Sequence, residues 1–192
     1  MVKITLGNGT ITEFEGDAIV SFCDTDTSYS KGNYILQFIK YPNQEGYREL
    51  VKTKLFKTEK DSKNKLLKEL SAIGYVNIGN AVITKAYDFK VKHFIFIPFT
   101  DHEDEENHIS SVLLHQALRS AFALANTYGL KTLAIPVLKI IVPKQEFIDK
   151  IIKGIFSSKS QRSLTQDEVF NVITAIAREF SGQSLEEVVI YR

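Results

Sequence analysis

Two acidic residues, Asp24 and Asp26, follow an apolar run near the start of the chain and could carry chemistry. The run extends from Ala18 to Cys23 and leads into the box Asp-Thr-Asp-Thr. A run without alternation is typical of a strand covered on both faces, and the carboxyl end of such a strand often borders a ligand cleft. In phosphoryl transfer, one carboxylate attacks while a second handles protons. One interpretation is therefore phosphoryl transfer that uses Asp24 and Asp26.

Other candidate side chains stand alone or lack a recognised spacing. Residues 100–108, TDHEDEENH, mix His102 and His108 with five acids, but they match neither a calcium loop nor a helical His-x-x-x-His pair. We expect a solvated acidic loop there, with no metal site and no cofactor. Cys23 is a lone cysteine at the end of a buried run, which is typical of a small core residue rather than of a nucleophile.

The composition is typical of one folded domain with almost no net charge. The 192 residues are 44% hydrophobic and 24% charged, and the formal net charge is +1. This length favours a single domain with a sizeable core. The charge balance gives no reason to expect nucleic acid or a membrane surface as a partner. A single cysteine fits a reducing compartment and no signal-peptide core opens the sequence, so we expect a cytoplasmic protein.

Strand and helix patterns alternate along the chain, which predicts an α/β fold with its sheet covered on both sides. Strands are predicted at 2–6, 18–23, 75–86, 93–99, 132–138 and in the closing EEVVIY. Helices are predicted to start near residues 33 and 47. The Lys-rich residues 52–68 indicate an exposed, partly helical excursion.

Two later helices have clear boundaries in the sequence. The strongest is predicted over 109–128 and ends at Gly129, where a left-handed residue can stop it. Its apolar stripe consists of Leu114, Ala117, Leu118, Ala121, Phe122 and Ala125. The other helix begins at a capping box formed by Thr165 and Glu168, and it ends at Gly182.

The order and spacing of several short motifs resemble those of the macro domain, a family of ADP-ribose-binding modules. In GTITEFEGDAIVSFCD, Gly9 to Thr12 stands where the family has G-D-I-T, and Ala18 to Asp24 stands where it has A-I-V-N-A-A-N. The segment IGNAVITKAYDF is similar to the family's G-x-A-x-x-T-x-G-Y-x-L. The resemblance implies a three-layer α/β/α sandwich around a central mixed sheet. It also implies one macro-like domain over residues 1–192, with insertions at about 52–68 and 139–164.

The resemblance further implies a ligand site at several separate places in the chain. Thr10 stands at the position of the family's adenine-recognising acid, with Ile11 beside it, and Asp24 stands where an asparagine meets the distal ribose. The two phosphate loops correspond to Lys31, Gly32 and Asn33, and to Pro136 and Val137 with Gly154, Ile155 and Phe156. The first loop keeps a single glycine, which weakens a backbone cradle for a diphosphate. Lys31 could compensate as a point charge.

The second phosphate loop has two interpretations. An insertion separates Pro136 from Gly154-Ile155-Phe156. In one interpretation these three residues are the displaced loop. In the other, Pro143 starts an inserted helix and Gly154 only ends it.

Three functions follow from these patterns. The first is binding of ADP-ribose or a related adenosine diphosphate metabolite, with weak ADP-ribosyl hydrolysis in which Asp24 activates water. The second is a macro-like scaffold that has lost nucleotide binding and works through protein contacts, as a homodimer. The third is a magnesium-dependent phosphatase: a strand followed by Asp-x-Asp resembles the haloacid-dehalogenase phosphatases, which implies Asp24 as nucleophile and Asp26 as acid/base beside magnesium.

Overall fold

A mixed seven-stranded sheet organises the part of the chain that the structure describes. The structure is a computed structural model that describes residues 1–24, 60–87, 89–101, 104–108, 111–137 and 165–191. Its strands are β1 Lys3–Leu6, β2 Ala18–Asp24, β3 Val82–Lys85, β4 His93–Asp101, β5 Asp104–His108, β6 Thr132–Pro136 and β7 Glu187–Tyr191. The helices are α1 Lys60–Ile73, α2 Ser111–Thr127 and α3 Gln166–Glu179, and a 3-10 helix covers Ile11–Glu13.

The sheet order is β1-β7-β6-β2-β4-β3, with β5 paired to β4. Strands β1, β7, β6, β2 and β4 run parallel to one another, whereas β3 and β5 are antiparallel to β4. Strand β2 therefore lies in the interior of the sheet, between β6 and β4. This confirms the prediction, made from its unbroken apolar run, that both its faces are covered.

Alternate residues of β2 enter two separate hydrophobic clusters. Ala18, Val20 and Phe22 pack with the buried stripes of α2 and α3 on one face of the sheet. Ile19 and Cys23 pack on the other face, with Leu66 and Leu70 of α1 and with residues of the 3-10 segment. The helices therefore form one layer on each side of the sheet, which confirms the α/β fold class.

The two helix predictions with clear boundaries are confirmed. The predicted stripe of α2 is fully buried, and Gly129 lies beyond its end with φ +64. Thr165 and Glu168 form the capping box of α3: the Glu168 N–H donates to Thr165 Oγ1, and the Thr165 N–H donates to a Glu168 carboxylate oxygen. None of the helices in the described ranges is long and apolar enough to cross a membrane.

Two local predictions were wrong. Of the strand predicted over 75–86, only Val82–Lys85 is a strand, because the chain turns before it and the Asn80 N–H donates to the Asn77 carbonyl at 3.1 Å. The acidic stretch predicted as a loop instead extends β4 to Asp101 and forms β5, with Thr100 opposite His108. Pairing of the backbone in such a ribbon does not require apolar side chains.

Residues 60–68 of the predicted Lys-rich excursion belong to α1. Leu66 and Leu70 are 4% and 1% exposed, so this helix is anchored in the second hydrophobic cluster rather than held away from the fold. Residues 52–59, the helices predicted near 33 and 47, and the insertion at 139–164 lie outside the described residues. The boundaries of the insertions remain predictions.

Asp17 fixes the amino ends of three strands. Its carboxylate accepts hydrogen bonds from the backbone N–H groups of Lys131 (2.7 Å) and Thr132 (3.1 Å) and from the Lys92 ammonium (2.7 Å). Its own N–H donates to Thr132 Oγ1 at 2.8 Å, and its carbonyl accepts from the N–H groups of Lys92 and His93. This residue therefore ties the start of β2 to the starts of β4 and β6.

We expect Asp17→Asn to destabilise the protein, in a manner that depends on pH. Burial raises the pKa of Asp17, but hydrogen bonds from Lys92, Lys131 and Thr132 outweigh it, so the pKa lies below its ordinary value. A lowered native pKa gives stability that is complete above the unfolded pKa and is lost as pH falls through the native one. At pH 7, denaturant titrations should show that Asp17→Asn lowers the free energy of unfolding by about 1–3 kcal/mol. The difference between the two proteins should become smaller as the pH is lowered into the acid range.

Glu15→Gln is the matched control for this experiment. Glu15 also pairs with a lysine, Lys90, at 2.8 Å, but its side chain is 73% exposed and accepts no backbone hydrogen bond from a neighbouring strand among the described residues. We expect no measurable change in the free energy of unfolding for Glu15→Gln. Equal effects of the two substitutions would show that Asp17 acts as an ordinary surface acid.

Candidate functional site

The carboxyl ends of the five parallel strands form one edge of the sheet, which we call the carboxyl edge. Leu6, Asp24, Asp101, Pro136 and Tyr191 are the last residues of these strands. In sheets of this type, ligands bind beyond the carboxyl ends of the strands. Thr10, Ile11, Asp24, Pro136 and Val137, which the sequence placed in the site, belong to this edge or to the segment that leaves it.

Thr10 and Ile11 lie at the start of the 3-10 helix that follows β1. Ile11 is 3% exposed and packs in the same hydrophobic cluster as Phe14 and Ala134. Thr10 is half-buried, and its carbonyl accepts a hydrogen bond from the Glu13 N–H at 2.9 Å. Packing of Ile11 therefore holds the Thr10 backbone over the sheet.

Asp24 is the last residue of β2, at a point where the ladder to β4 is irregular. Cys23 is opposite Pro98, but Asp24 is opposite Thr100, so β4 has one additional residue between them. Such irregularities re-aim the chain at a strand end. Cys23 itself is 1% exposed and belongs to the second hydrophobic cluster, which confirms its prediction as a core residue.

Pro136 and Val137 end β6 next to the end of β7. Pro136 is opposite Tyr191 in the sheet, and the Val137 N–H donates to the Tyr191 carbonyl at 2.7 Å. Val137 is 5% exposed. The hydrogen bond prolongs the pairing by one residue and fixes the backbone where the second phosphate loop was predicted to begin.

Six predicted ligand-binding residues lie outside the described residues: Lys31, Gly32, Asn33, Gly154, Ile155 and Phe156. The two interpretations of Gly154 therefore both remain open, and the phosphate-loop assignments stay predictions. Asp26, which the phosphatase interpretation requires, also lies outside them. Within the described ranges, no group of three His, Cys, Asp or Glu side chains could hold a metal ion.

Tyr191 is a residue of the carboxyl edge that sequence reasoning missed. Its half-buried ring lies directly against Gly7: a Cβ on Gly7 would be 2.5 Å from the nearest ring carbon. Phe14 makes an edge-to-face contact with the ring, at 6.5 Å between centroids. Burial, and then the charge of Glu13, raise the pKa of the Tyr191 phenol. In the sequence, the only indication of this contact is Gly7, which directly follows β1. No local pattern indicates that its partner is a tyrosine in β7.

Ser21 is a second feature that the sequence did not reveal. It is fully buried, and its hydroxyl has no hydrogen-bond partner among the described residues. Alternation along β2 places it on the same face as Ile19 and Cys23. Most buried hydroxyls are paired, so this one marks a polar position inside an otherwise apolar face.

Two grooves lined by described residues lie away from the carboxyl edge. One, of about 800 Å³, runs along α2 past His115 and Arg119 to Phe180. The other, of about 610 Å³, lies between the far half of α2 and the turn around Asn77 and Asn80. Neither is lined by a residue of the carboxyl edge.

Comparison with solved structures shows that this arrangement is the macrodomain fold. The macrodomain of Mycobacterium tuberculosis DarG matches at 16% identity and a TM-score of 0.59, with 100% of this chain and 98% of that chain covered. The Thermus aquaticus DarG macrodomain matches at 16% identity and a TM-score of 0.56, with the same coverage. A Trypanosoma brucei macrodomain in complex with ADP-ribose matches at 15% identity and a TM-score of 0.59, with 98% of this chain and 62% of that chain covered.

The sequence itself matches the Macro domain family model over residues 58–142. With the fold, this match confirms the resemblance to the macro domain family. The matched range contains Pro136 and Val137 but not the Gly9–Asp24 segment, in which Thr10 and Asp24 depart from the family's pattern. No protein with curated annotation matches the chain.

We expect Gly7→Ala to destabilise the carboxyl edge through Tyr191. The added Cβ would overlap the ring, so the ring or the end of β1 must move, at a cost of about 1–3 kcal/mol. Thermal or denaturant unfolding measures the loss. In a Tyr191→Ala background the same substitution should cost much less, because no ring is there to displace. An equal cost in both backgrounds would contradict the contact.

Proposed function

We propose that this chain binds ADP-ribose or a related adenosine diphosphate metabolite at the carboxyl edge. The observation that carries the proposal is the convergence of Ile11, the end of β2 and Val137 on one edge of a macrodomain fold. Solved macrodomains of the same fold from Trypanosoma brucei are in complex with ADP-ribose and with ADP. Those ligands share an adenosine joined to a diphosphate, which defines the ligand class that we propose here.

The ligand has a neutral base at one end and a charged diphosphate in its middle, so different parts of the edge suit different parts of it. Near the end of β7 the half-buried ring of Tyr191 supplies aromatic surface, and the buried side chains of Ile11 and Phe14 belong to the cluster that it packs against. Such surface suits a base, because every base has a flat face that can stack. Asp24 ends β2 on the other side of β6, and we assign it to the distal ribose. The diphosphate would then lie between these ends, against the predicted loops.

The charge of Asp24 should oppose the diphosphate. Like charges repel most strongly where water is excluded, as in a cleft. An asparagine at this position would keep a hydrogen-bonding group of the same size without the charge. Asp24 therefore weakens binding in this proposal.

We predict that Asp24→Asn binds ADP-ribose more tightly than the wild type, by roughly tenfold, which corresponds to about 1.4 kcal/mol. Isothermal titration calorimetry on both proteins measures the difference. Glu186→Gln is the control, because it removes the same charge from the opposite edge, where Glu186 pairs with Lys131 at 2.7 Å. We expect no change in affinity for the control.

Absence of ADP-ribose binding by both the wild type and Asp24→Asn would overturn the proposal. Combined with a dimer by light scattering, that result would favour the scaffold function. If Asp24→Asn binds ADP-ribose more weakly than the wild type, the carboxylate contributes to binding instead of opposing it.

Hydrolysis of an ADP-ribosyl bond is the finer activity that we propose for the same site. A carboxylate beside the distal ribose can orient and deprotonate water, which an asparagine cannot do. Asp24→Asn should therefore release ADP-ribose from an ADP-ribosylated protein more slowly, by tenfold or more, while it binds free ADP-ribose more tightly. Equal release rates for the two proteins would assign Asp24 no catalytic role.

A further inference from the structure

The exposed face of α2 forms the floor of one continuous surface trough. The two grooves described above share Ser120 and Ala123 in their lining, so they meet at the middle of the helix. The α2 residues that line them run from Val112 to Thr127. At a rise of 1.5 Å per residue this stretch is about 22 Å long. We call this surface the α2 trough.

The lining of the α2 trough combines large apolar side chains with small ones. Val112 and Tyr75 are 71% and 60% exposed, and half-buried Phe180 lines the same groove as Val112. At the centre, the Ser120 hydroxyl lies 2.8 Å and 3.0 Å from two backbone carbonyls of the protein, so it needs no further polar partner. Ser120 and Ala123 let another backbone approach α2 closely. Exposed apolar surface of this kind marks a site where a partner docks.

The α2 trough is lined by cationic side chains and by no acid. None of the described residues that line the two grooves is Asp or Glu, and α2 itself contains neither. The lining side chains that carry a positive charge when protonated are Arg119 and His115. Arg119 donates through Nε and Nη2 to the Glu179 carboxylate, each at 2.9 Å, and its Nη1 makes no hydrogen bond to a described residue. A guanidinium has five N–H donors, so donors remain for a second acceptor.

This charge pattern favours an acidic protein segment over other classes of partner. Duplex DNA carries one negative charge per about 1.7 Å, so a nucleic acid along the trough would require many cations. Among the described lining residues, Arg119 is the one permanent cation. A lipid surface is recognised by clusters of about four to eight basic residues, which the trough also lacks in its described lining. Two copies of α2 facing each other would bring cationic side chains together without an acid between them.

We propose that the α2 trough docks an acidic amphipathic helix of a partner protein. Apolar side chains of that helix contact Val112, Tyr75 and Phe180, and one of its carboxylates accepts hydrogen bonds from Arg119 Nη1. Helices that lie in a groove are held by apolar residues on one face, and a charge pair at the rim sets their orientation. The proposal goes beyond ADP-ribose binding and does not depend on it, because the grooves contain no described residue of the carboxyl edge.

Glu179 has the opposite effect to Arg119 in this proposal. Its carboxylate already binds the guanidinium, so it competes with the carboxylate of the partner. Both side chains are about half exposed, at 55% for Arg119 and 47% for Glu179, and such a pair contributes little to stability. Removal of the cation should therefore weaken docking, whereas removal of the acid should strengthen it. A purely structural role of the ion pair would change both affinities in the same direction.

The experiment measures the fluorescence anisotropy of a labelled synthetic peptide, LEELLEELLEELLE, which as a helix is about 21 Å long and has an apolar stripe. We expect Arg119→Gln to weaken its binding by about fivefold and Glu179→Gln to strengthen it by about two- to fivefold. Ala123→Glu should weaken binding by about tenfold or more, because the added side chain fills the floor and repels the peptide. The same peptide with Lys in place of Glu should not bind.

Ala175→Glu is the matched control, because it makes the same exchange at an exposed alanine of α3 that lines neither groove. It should leave peptide affinity unchanged, and melting temperatures should show that both variants fold. The proposal is overturned if the wild type does not bind the peptide at about 1 mM, if Ala123→Glu and Ala175→Glu bind it equally, or if Glu179→Gln binds it more weakly.

Two further measurements separate this inference from the alternatives. Light scattering that shows a dimer, dissociated by Ala123→Glu but not by Ala175→Glu, would overturn the proposal in favour of a second copy of the chain. Ala123→Glu should keep the ADP-ribose affinity of the wild type. A wild type that binds the peptide but not ADP-ribose would remove the proposed function and support this inference alone.

Discussion

The hydrogen bonds of Asp17 are the constraint on which the geometry of the sheet depends. One carboxylate and one carbonyl accept from the starts of β6 and β4 at the same time, so the registers of both neighbours are set relative to β2. A one-residue slip in a parallel pair would turn every buried side chain to the wrong face. Because the strands have defined lengths, fixing their starts also fixes where they end. The positions of Asp24 and Pro136 are therefore determined at the edge of the sheet opposite to the one where they lie.

The two edges of the sheet differ in how they use charge. At the amino edge, lysines and acids are paired at short distance: Lys92 with Asp17, Lys131 with Glu186, and Lys3 with Glu187. Exposed pairs of this kind contribute little to stability, but they leave little net charge behind. At the carboxyl edge, two of the five parallel strands end in an acid, Asp24 or Asp101, and the others end in Leu6, Pro136 and Tyr191.

The layered fold could be predicted from the sequence because its signals are local. The apolar run from Ala18 to Cys23 defined an interior strand, and the capping box of Thr165 and Glu168 defined a helix start. Prediction failed where tertiary contacts decide the outcome. Leu66 and Leu70 anchor a Lys-rich segment that looks exposed in sequence.

The candidate site was predictable only in part, for the same reason. The positions of Ile11 and Val137 within the family-like motifs predicted that both residues lie at the carboxyl edge. Tyr191 could not be found in this way, because its place depends on Gly7, which is far from it in sequence. The match to the Macro domain family model covers 58–142, so the segment with Thr10 and Asp24 lies outside it.

The position of β7 has a consequence for how the protein folds. It is the last described strand in the sequence, yet it lies between β1 and β6, and Lys3 pairs opposite Glu187. The first strand therefore has no partner in the described sheet until residues 187–190 have been synthesised. Contacts of such long sequence separation are slow to form, because a large loop must close before any pairing is gained. Gly7 and Tyr191 meet only at that late step, so this corner of the carboxyl edge should be completed late in folding.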